Sequence, residues 1–509
     1  MAGQDITTDL LIIGSGPVGV TYARKIVELS ANSQKKPKIT MVTLDGRYAA
    51  LTAPLTCATP EPHKAELPGK YRPEDWDALM KEAKELIDVN NTAFDGTSLR
   101  QAIVKETLAK SFEGRQVESL PLACKKDVTD GSARWSTVST ILSNLIDLKS
   151  SKAEQFELLY EHLCTKLVFQ DPSNKDNNQI AHAVVKDLEQ GGEKKVIARY
   201  YVICGGGIKT PQLLFSSGCE QSGSSDRLPA LGRYLMDRKS ALCQVILKED
   251  LVNVVPKANS EVWEGLINEH KQKYPEDNIP IPKSDPEPQV GLPFSEEKPW
   301  YTEIHRDPTL SNSEGNSQLP TFGGNLAFFN PERNSQSTMF GGNPAFSGNP
   351  AFAGKPSSTV DQRVVLHLQS FGYSTPNAAN CLKFRTDIVD RWGMPMYEAQ
   401  FEQNTEDNER AHKMMSDMTE VAARLGSYMP GATPQFGGLD KAPDGYGTTR
   451  VGSTKEDSCV DANFCVHNST NLYLGGNSVI PTGFAGNPIL TTIGFAIKGA
   501  SDLYKKMAN

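Results

Sequence analysis

Six residues, Gly14-Ser15-Gly16-Pro17-Val18-Gly19, have the types and spacing of a phosphate cradle. In GxGxxG the first glycine makes a tight turn and the second lets the main chain approach a pyrophosphate. The third lets the next helix close on the strand before it. The context fits: the apolar run DLLII at residues 9–13 precedes the motif and the helical pattern VTYARKIVEL follows. The start of such a helix offers N–H groups and positive dipole to an anion. A second apolar strand, residues 38–44, ends at Asp45, placed to accept from ribose hydroxyls. These residues predict a dinucleotide site. NAD and FAD share the fingerprint, so the residues do not choose between them.

Two more stretches repeat the arrangement of strand, glycine turn and helix. Near the end of the chain Asn471-Leu472-Tyr473-Leu474 runs into Gly475-Gly476-Asn477, and after a Pro-Thr-Gly turn Asn487-Pro488 opens an apolar helix containing Thr491. Earlier, a strand ends in Cys204-Gly205-Gly206-Gly207, with Pro211 in the first turn of the helix that follows. Both stretches bring backbone N–H groups close to something bulky and polar.

The elements that must position these turns belong to a large chain. At 509 residues it exceeds a single core and predicts two or three domains, or one interwoven pair. A composition of 38% hydrophobic and 22% charged residues is that of a globular protein. The net charge of −8 argues against nucleic acid or an anionic membrane as partner. Apolar runs fall well short of the ~20 residues a membrane helix needs. The N-terminal residues lack the pattern of a secretory signal, and the nine cysteines are scattered without a CxxC pair. The expectation is a cytoplasmic protein with reduced thiols and no metal site.

In order along the chain, the small and β-branched run 51–60 reads equally as a segment against a flat ligand or as a buried loop. Residues 71–125 carry helical patterns such as PEDWDALMKEAKELI. From 158 to 204 the pattern is strands, with a hairpin turning at Gly191-Gly192. Residues 232–300 read as strands and Pro-rich turns of a second, sheet-based domain. Residues 308–360 are rich in Gly, Asn, Ser and Pro with a small FGGN repeat, and read as a disordered insertion or a lid. Strands resume at 363 and 383, and a helix is predicted over 406–424.

The opening fingerprint, GGGIKTPQLLFSSG and the closing NLYLGGNSVIPTGFAGNPILTTIGFAIKGA resemble the glucose–methanol–choline (GMC) flavoprotein oxidoreductases. Within that family Thr56-Cys57-Ala58-Thr59-Pro60, DPEPQV, Ile304-His305-Arg306-Asp307, Pro434-Gln435-Phe436 and Thr454-Lys455-Glu456-Asp457 are similar to the pyranose-oxidase branch. The resemblance implies an α/β fold in which a Rossmann-like FAD domain interleaves with a sheet-based substrate domain. The segments expected are 1–60, 158–231 and 431–509 for FAD, with 61–157, mainly helical, and 232–430 for substrate. The cofactor residues it implies are Gly14, Ser15, Gly16, Gly19, Asp45, Thr56, Cys57, Gly206, Gly475, Gly476, Asn477, Asn487, Pro488 and Thr491. The branch carries a histidine that bonds the flavin covalently; that position here is Pro54, so FAD is expected to be held non-covalently.

The resemblance also implies oxidation of a secondary hydroxyl of a pyranose sugar or related polyol, with O2 or another carrier as electron acceptor. Secondary metabolism such as kojic-acid formation from glucose is one setting for it. The family pairs a histidine with an asparagine or histidine across the flavin. The asparagine is Asn487, while counting from Pro434-Gln435-Phe436 puts Asp444 at the histidine position and Thr449 at a second one. Histidine, near pKa ~6.5, is the stronger base by about 2.6 units over aspartate near ~3.9, so Asp444 needs desolvation to serve. It reads equally as a loop residue in a Pro-Asp-Gly turn. His305 and His367 are rival bases. Substrate contacts are expected from Asp307, Gln369 (an arginine position in the family's sugar pocket) and His367. Two other readings stay open: a redox-silent flavin-binding protein, and a dehydratase or lyase on the same scaffold. A homo-oligomer also stays open.

Overall fold

The structure is a computed structural model that describes residues 5–52, 54–96, 98–126, 133–145, 155–219, 221, 226–253, 260–305, 360–437 and 445–508. The expected insertion lies, but for Val360, outside the described residues, as do Asp307 and Asp444.

The DLLII run forms the heart of the first strand, Ile6–Ile13, with Leu10, Leu11 and Ile12 fully buried. A strand apolar on both faces must be covered on both, the signature of a parallel sheet. Ile6–Ile13 pairs in parallel with Ile39–Val42 on one side and Glu193–Ile203 on the other. Phe156–Leu159 extends the parallel run beyond Ile39–Val42, and Leu472–Leu474 pairs in parallel with the last residues of Glu193–Ile203 on the far side. The predicted hairpin is present: Ile180–Asp187 and Glu193–Ile203 pair antiparallel, with Gly191 and Gly192 at φ +73° and +90° in the turn. Helices Pro17–Leu29 and Ile489–Ala508 pack on this sheet and on each other.

A second seven-stranded sheet is built from segments far apart in sequence. Its order is Gly426–Tyr428, Lys239–Leu247, Val365–Gly372, Trp300–His305, Val290–Leu292 and Glu118–Ser119, with Gln435–Phe436 pairing to Lys239–Leu247. All its pairings are antiparallel. One face is apolar: Ala241, Cys243, Val245, Leu366, Leu368, Trp300 and Ile304 join a core with helices Leu99–Ser111 and Thr405–Leu425. The other face is polar, and it carries the site.

One expectation needs correction. Residues 232–300 contain a helix, Ser260–Lys273, where only strands and turns were read. Residues 61–157 hold helices Trp76–Leu86 and Leu99–Ser111, but also a three-stranded ribbon of Val89–Asn90, Leu122–Lys126 and Ala133–Trp135. Strands this short show too few alternations to be read locally, because partners distant in sequence define them.

Candidate active site

Three glycine turns converge at the carboxyl ends of adjacent parallel strands, the place where open α/β sheets bind nucleotides. Some of these glycines are there for packing. A Cβ on Gly14, which sits at φ +108°, would lie 2.5 Å from the Cys204 carbonyl oxygen, and one on Gly19 would overlap the Gly14 carbonyl oxygen. A Cβ on Gly475 would meet Val18 Cγ1 at 3.0 Å and Cys204 Sγ at 3.2 Å. Others face open space: a Cβ on Gly16 or on Gly206 (φ +76°) would have no protein atom within 4 Å. A Cβ on Gly476, at φ +97°, would have Gly206 Cα as its nearest atom, at 3.8 Å.

The backbone is thus bare at Gly16, where helix Pro17–Leu29 starts, and at Gly206, where Gly206–Ser216 starts. Ser15 Oγ donates to Thr43 Oγ1 at 2.8 Å, tying this loop to the end of Ile39–Val42. Asp45 follows, half-buried, its carboxyl pushed above the ordinary carboxylate range by burial. Fully buried Thr449 Oγ1 and Ser478 Oγ, beside the Gly475-Gly476-Asn477 turn, have no hydrogen-bond partner among the described residues. Asn477 contributes its carbonyl to Gly447 N–H at 3.2 Å. Bare backbone at two helix starts, an acid after the second strand and two unpartnered hydroxyls fit an adenine dinucleotide.

Residues 54–60 run extended along the Leu122–Lys126 and Ala133–Trp135 ribbon. Leu55 N–H donates to Ser136 and Thr59 N–H to Pro121, at 2.8 and 2.7 Å. Thr56 and Cys57 therefore lie on an irregular strap held by its backbone. The strap abuts the end of the chain: a Cβ on Gly486 would sit 2.6 Å from Pro60 Cγ. The buried Glu66 carboxylate holds the same loop, accepting from Ala485 N–H at 2.7 Å and His63 N–H at 2.8 Å. Thr482 Oγ1 donates to the Glu66 carbonyl at 2.6 Å. Asn487 and Pro488 leave this clamped loop directly into helix Ile489–Ala508, in whose first turn Thr491 is buried.

Alternation along the second sheet lines up the opposing wall. The register Glu303↔Gln369, His305↔His367 and Tyr301↔Phe371 puts these six side chains on one face. Leu242 and Gln244 join it opposite Gln369 and His367. The His305 and His367 rings lie 5.2 Å apart, and the Arg238 guanidinium stacks 4.4 Å from the Phe371 ring. Asn487 Nδ2 donates to Glu303 Oε1 at 3.3 Å, so the nucleotide-binding half meets this face at Glu303. Glu303 is only 4% exposed. Burial raises its carboxyl above the ordinary range, with His305 and Arg238 pulling the other way.

The structure brings Asn487, Gln369, His367 and His305 onto or against one wall. Sequence reasoning missed Glu303, Arg238, Tyr301 and Glu66. The signal for Glu303 was present in Tyr301-Thr302-Glu303-Ile304-His305, where period-two alternation puts an acid on a face with a histidine.

A mixed sheet whose parallel strands end in three glycine turns, joined at a clamped asparagine to the polar face of an antiparallel sheet, defines a dinucleotide-binding protein. Residues 71–239 and 376–496 match the GMC oxidoreductase family, and the chain belongs to it, in its pyranose-oxidase-like branch. It is 32% identical to pyranose 2-oxidase of Emericella nidulans, over 98% of this chain and 92% of that protein. With C-glycoside 3-oxidase of Arthrobacter globiformis it shares 23% identity over 92% of this chain and 76% of that one. The fold is that of formate oxidase from Aspergillus oryzae, with a TM-score of 0.60 at 13% identity over 99% of both chains. The cofactor is FAD.

Proposed function

We propose that this protein oxidises a secondary hydroxyl of a pyranose sugar or related polyol. One observation carries the reading: Asn487, at the start of a helix in the FAD half, reaches a buried wall of hydrogen-bonding side chains at 3.3 Å. Relatives named for oxidising pyranoses and C-glycosides support the substrate class. FAD, when bound, supplies the acceptor for the carbinol hydride. The protein's part is to orient the alcohol, exclude water and take the hydroxyl proton. Gln369, in the middle of the wall, offers an amide that both donates and accepts, suited to a sugar hydroxyl.

FAD is held non-covalently on this reading, because Pro54 stands where the branch carries its flavin-bonding histidine and proline has no nucleophile. Acid precipitation should leave all the flavin in the supernatant; flavin in the pellet would overturn this. O2 is the proposed electron acceptor, and the nine free cysteines suit work in a reducing compartment such as the cytoplasm. The proposed setting is secondary metabolism of the kind that turns glucose into kojic acid. Its support is the sequence resemblance.

The test is the purified holoprotein with a panel of sugars under anaerobic conditions. The expected result is bleaching of the flavin, peroxide on readmission of air, and a product lighter by two hydrogens. A product lighter by one water would favour the dehydratase reading. A flavin that no sugar bleaches would leave the redox-silent one.

A further inference from the structure

We infer that Glu303 is the group that takes the proton from the substrate hydroxyl, with Asn487 holding that carboxyl in position. The inference rests on the oxidation reading above and assigns its missing base.

Geometry comes first. Glu303 is a buried carboxylate where the two halves of the protein touch, and Asn487 Nδ2 donates to its Oε1. It is central in the wall: Gly291 is its partner on one side and Gln369 on the other. The Leu120 and Tyr301 side chains close over Gly291, where a Cβ would lie 2.8 Å from Leu120 Cδ2 and 3.1 Å from the Tyr301 hydroxyl oxygen. The charged and titratable groups around it come from every neighbouring element. They are Tyr301 and His305 on its own strand, His367 on the next and Arg238 before Lys239–Leu247, with Glu118 in the Gly291 row and Glu66, the clamp of the Asn487 loop, both acting on Tyr301. Burial, acting against the Glu303 charge, moves this carboxyl towards the range where a base works near neutral pH.

The step balances. The substrate O–H bond breaks and its proton goes to Glu303, which becomes a neutral carboxylic acid. The carbinol C–H bond breaks with its electron pair, which leaves as hydride to the cofactor, and the carbon–oxygen bond becomes double. The proton then passes to water.

The test is Glu303→Gln, whose amide oxygen still accepts from Asn487. The rate of anaerobic flavin reduction at saturating sugar should fall by about 100-fold or more, and the acid limb of the wild-type pH profile should vanish from what remains. Melting of the holoprotein against pH, without substrate, is the second readout. A carboxyl raised by the fold stabilises fully below its unfolded value, about 4.3, and that contribution is lost as pH rises through the folded value. The melting temperature of wild type minus Glu303→Gln should therefore fall as pH rises above about 4. Reduction of Glu303→Gln at the wild-type rate, or a flat difference in melting temperature, would overturn the inference. Loss of reduction in Asp444→Ala with Glu303→Gln unaffected hands the role to Asp444 and also overturns it. Wild type that no sugar bleaches is a different failure, that of the oxidation reading, and the inference falls with it.

Discussion

The amide of Asn487 donates to the carboxylate of Glu303 across 3.3 Å, joining residues 184 positions apart and the two halves of the protein. Each partner is fixed from behind, Asn487 by a loop that a buried glutamate clamps, Glu303 by the register of its strand.

That contact predicts the behaviour of Asn487→Asp. The change sets two carboxyls within hydrogen-bonding distance, and like charges that close cannot both ionise cheaply. One folded-state pKa rises, so stability is kept in acid and lost as pH rises through the raised value. Melting curves should show wild type and variant close together near pH 4 and the variant several degrees lower near pH 8. A gap that does not change with pH would refute the contact.

Gly16 and Gly19 should separate cofactor binding from folding. Gly16→Ala meets no protein atom within 4 Å, so its thermal stability without flavin should equal wild type while flavin per protein falls. Gly19→Ala drives a methyl into the Gly14 carbonyl oxygen and should destabilise the fold by about 1–3 kcal/mol or more, measured by urea unfolding.

Removing the Glu66 clamp leaves the buried Ala485 N–H and the part-buried His63 N–H without this acceptor. Hydrogen bonds to a charged group contribute about 1.5–3 kcal/mol each, so Glu66→Ala should lower stability by about 3 kcal/mol. Sugar-dependent flavin reduction should fall with it, because Asn487 loses its fixed approach to Glu303.

Behind the wall, Asp417 on helix Thr405–Leu425 accepts from Arg115 at 2.9 and 2.7 Å, from Lys298 at 2.6 Å and from Trp300 Nε1 at 2.8 Å. Burial opposes its charge, but the bonds from Arg115, Lys298 and Trp300 outweigh it and hold the carboxyl below the ordinary range. Breaking a buried pair costs about 3–5 kcal/mol, the expected loss for Asp417→Ala at neutral pH. A lowered carboxyl stabilises above its unfolded value, near 3.9, and stops doing so as pH falls through the folded value. Chemical unfolding should show the gap between wild type and Asp417→Ala closing in acid below about pH 4.

Much of the nucleotide half was legible in the sequence. Residues 14–19 lead from an apolar strand into a helix, and the Gly191-Gly192 hairpin follows from turn chemistry; in the other half, helix Thr405–Leu425 follows from its period. Helix Ser260–Lys273 was lost among prolines, and Leu122–Lys126 was too short to show alternation. Of the wall, His305, His367 and Gln369 were nameable one at a time. Their common face was not, because it depends on which strands pair and in what register.

The sequence by itself determined where the backbone must be bare or turn sharply, since glycine spacing, apolar runs and proline act within a few residues. It also determined the family, through motifs spread along the whole chain. Only the tertiary structure decided that a glutamate from the middle of the chain faces an asparagine near its end. Nothing local to Glu303 or Asn487 encodes that meeting. It arises from long-range pairing of the second sheet, and from the packing of helix Ile489–Ala508 that carries Asn487 to it.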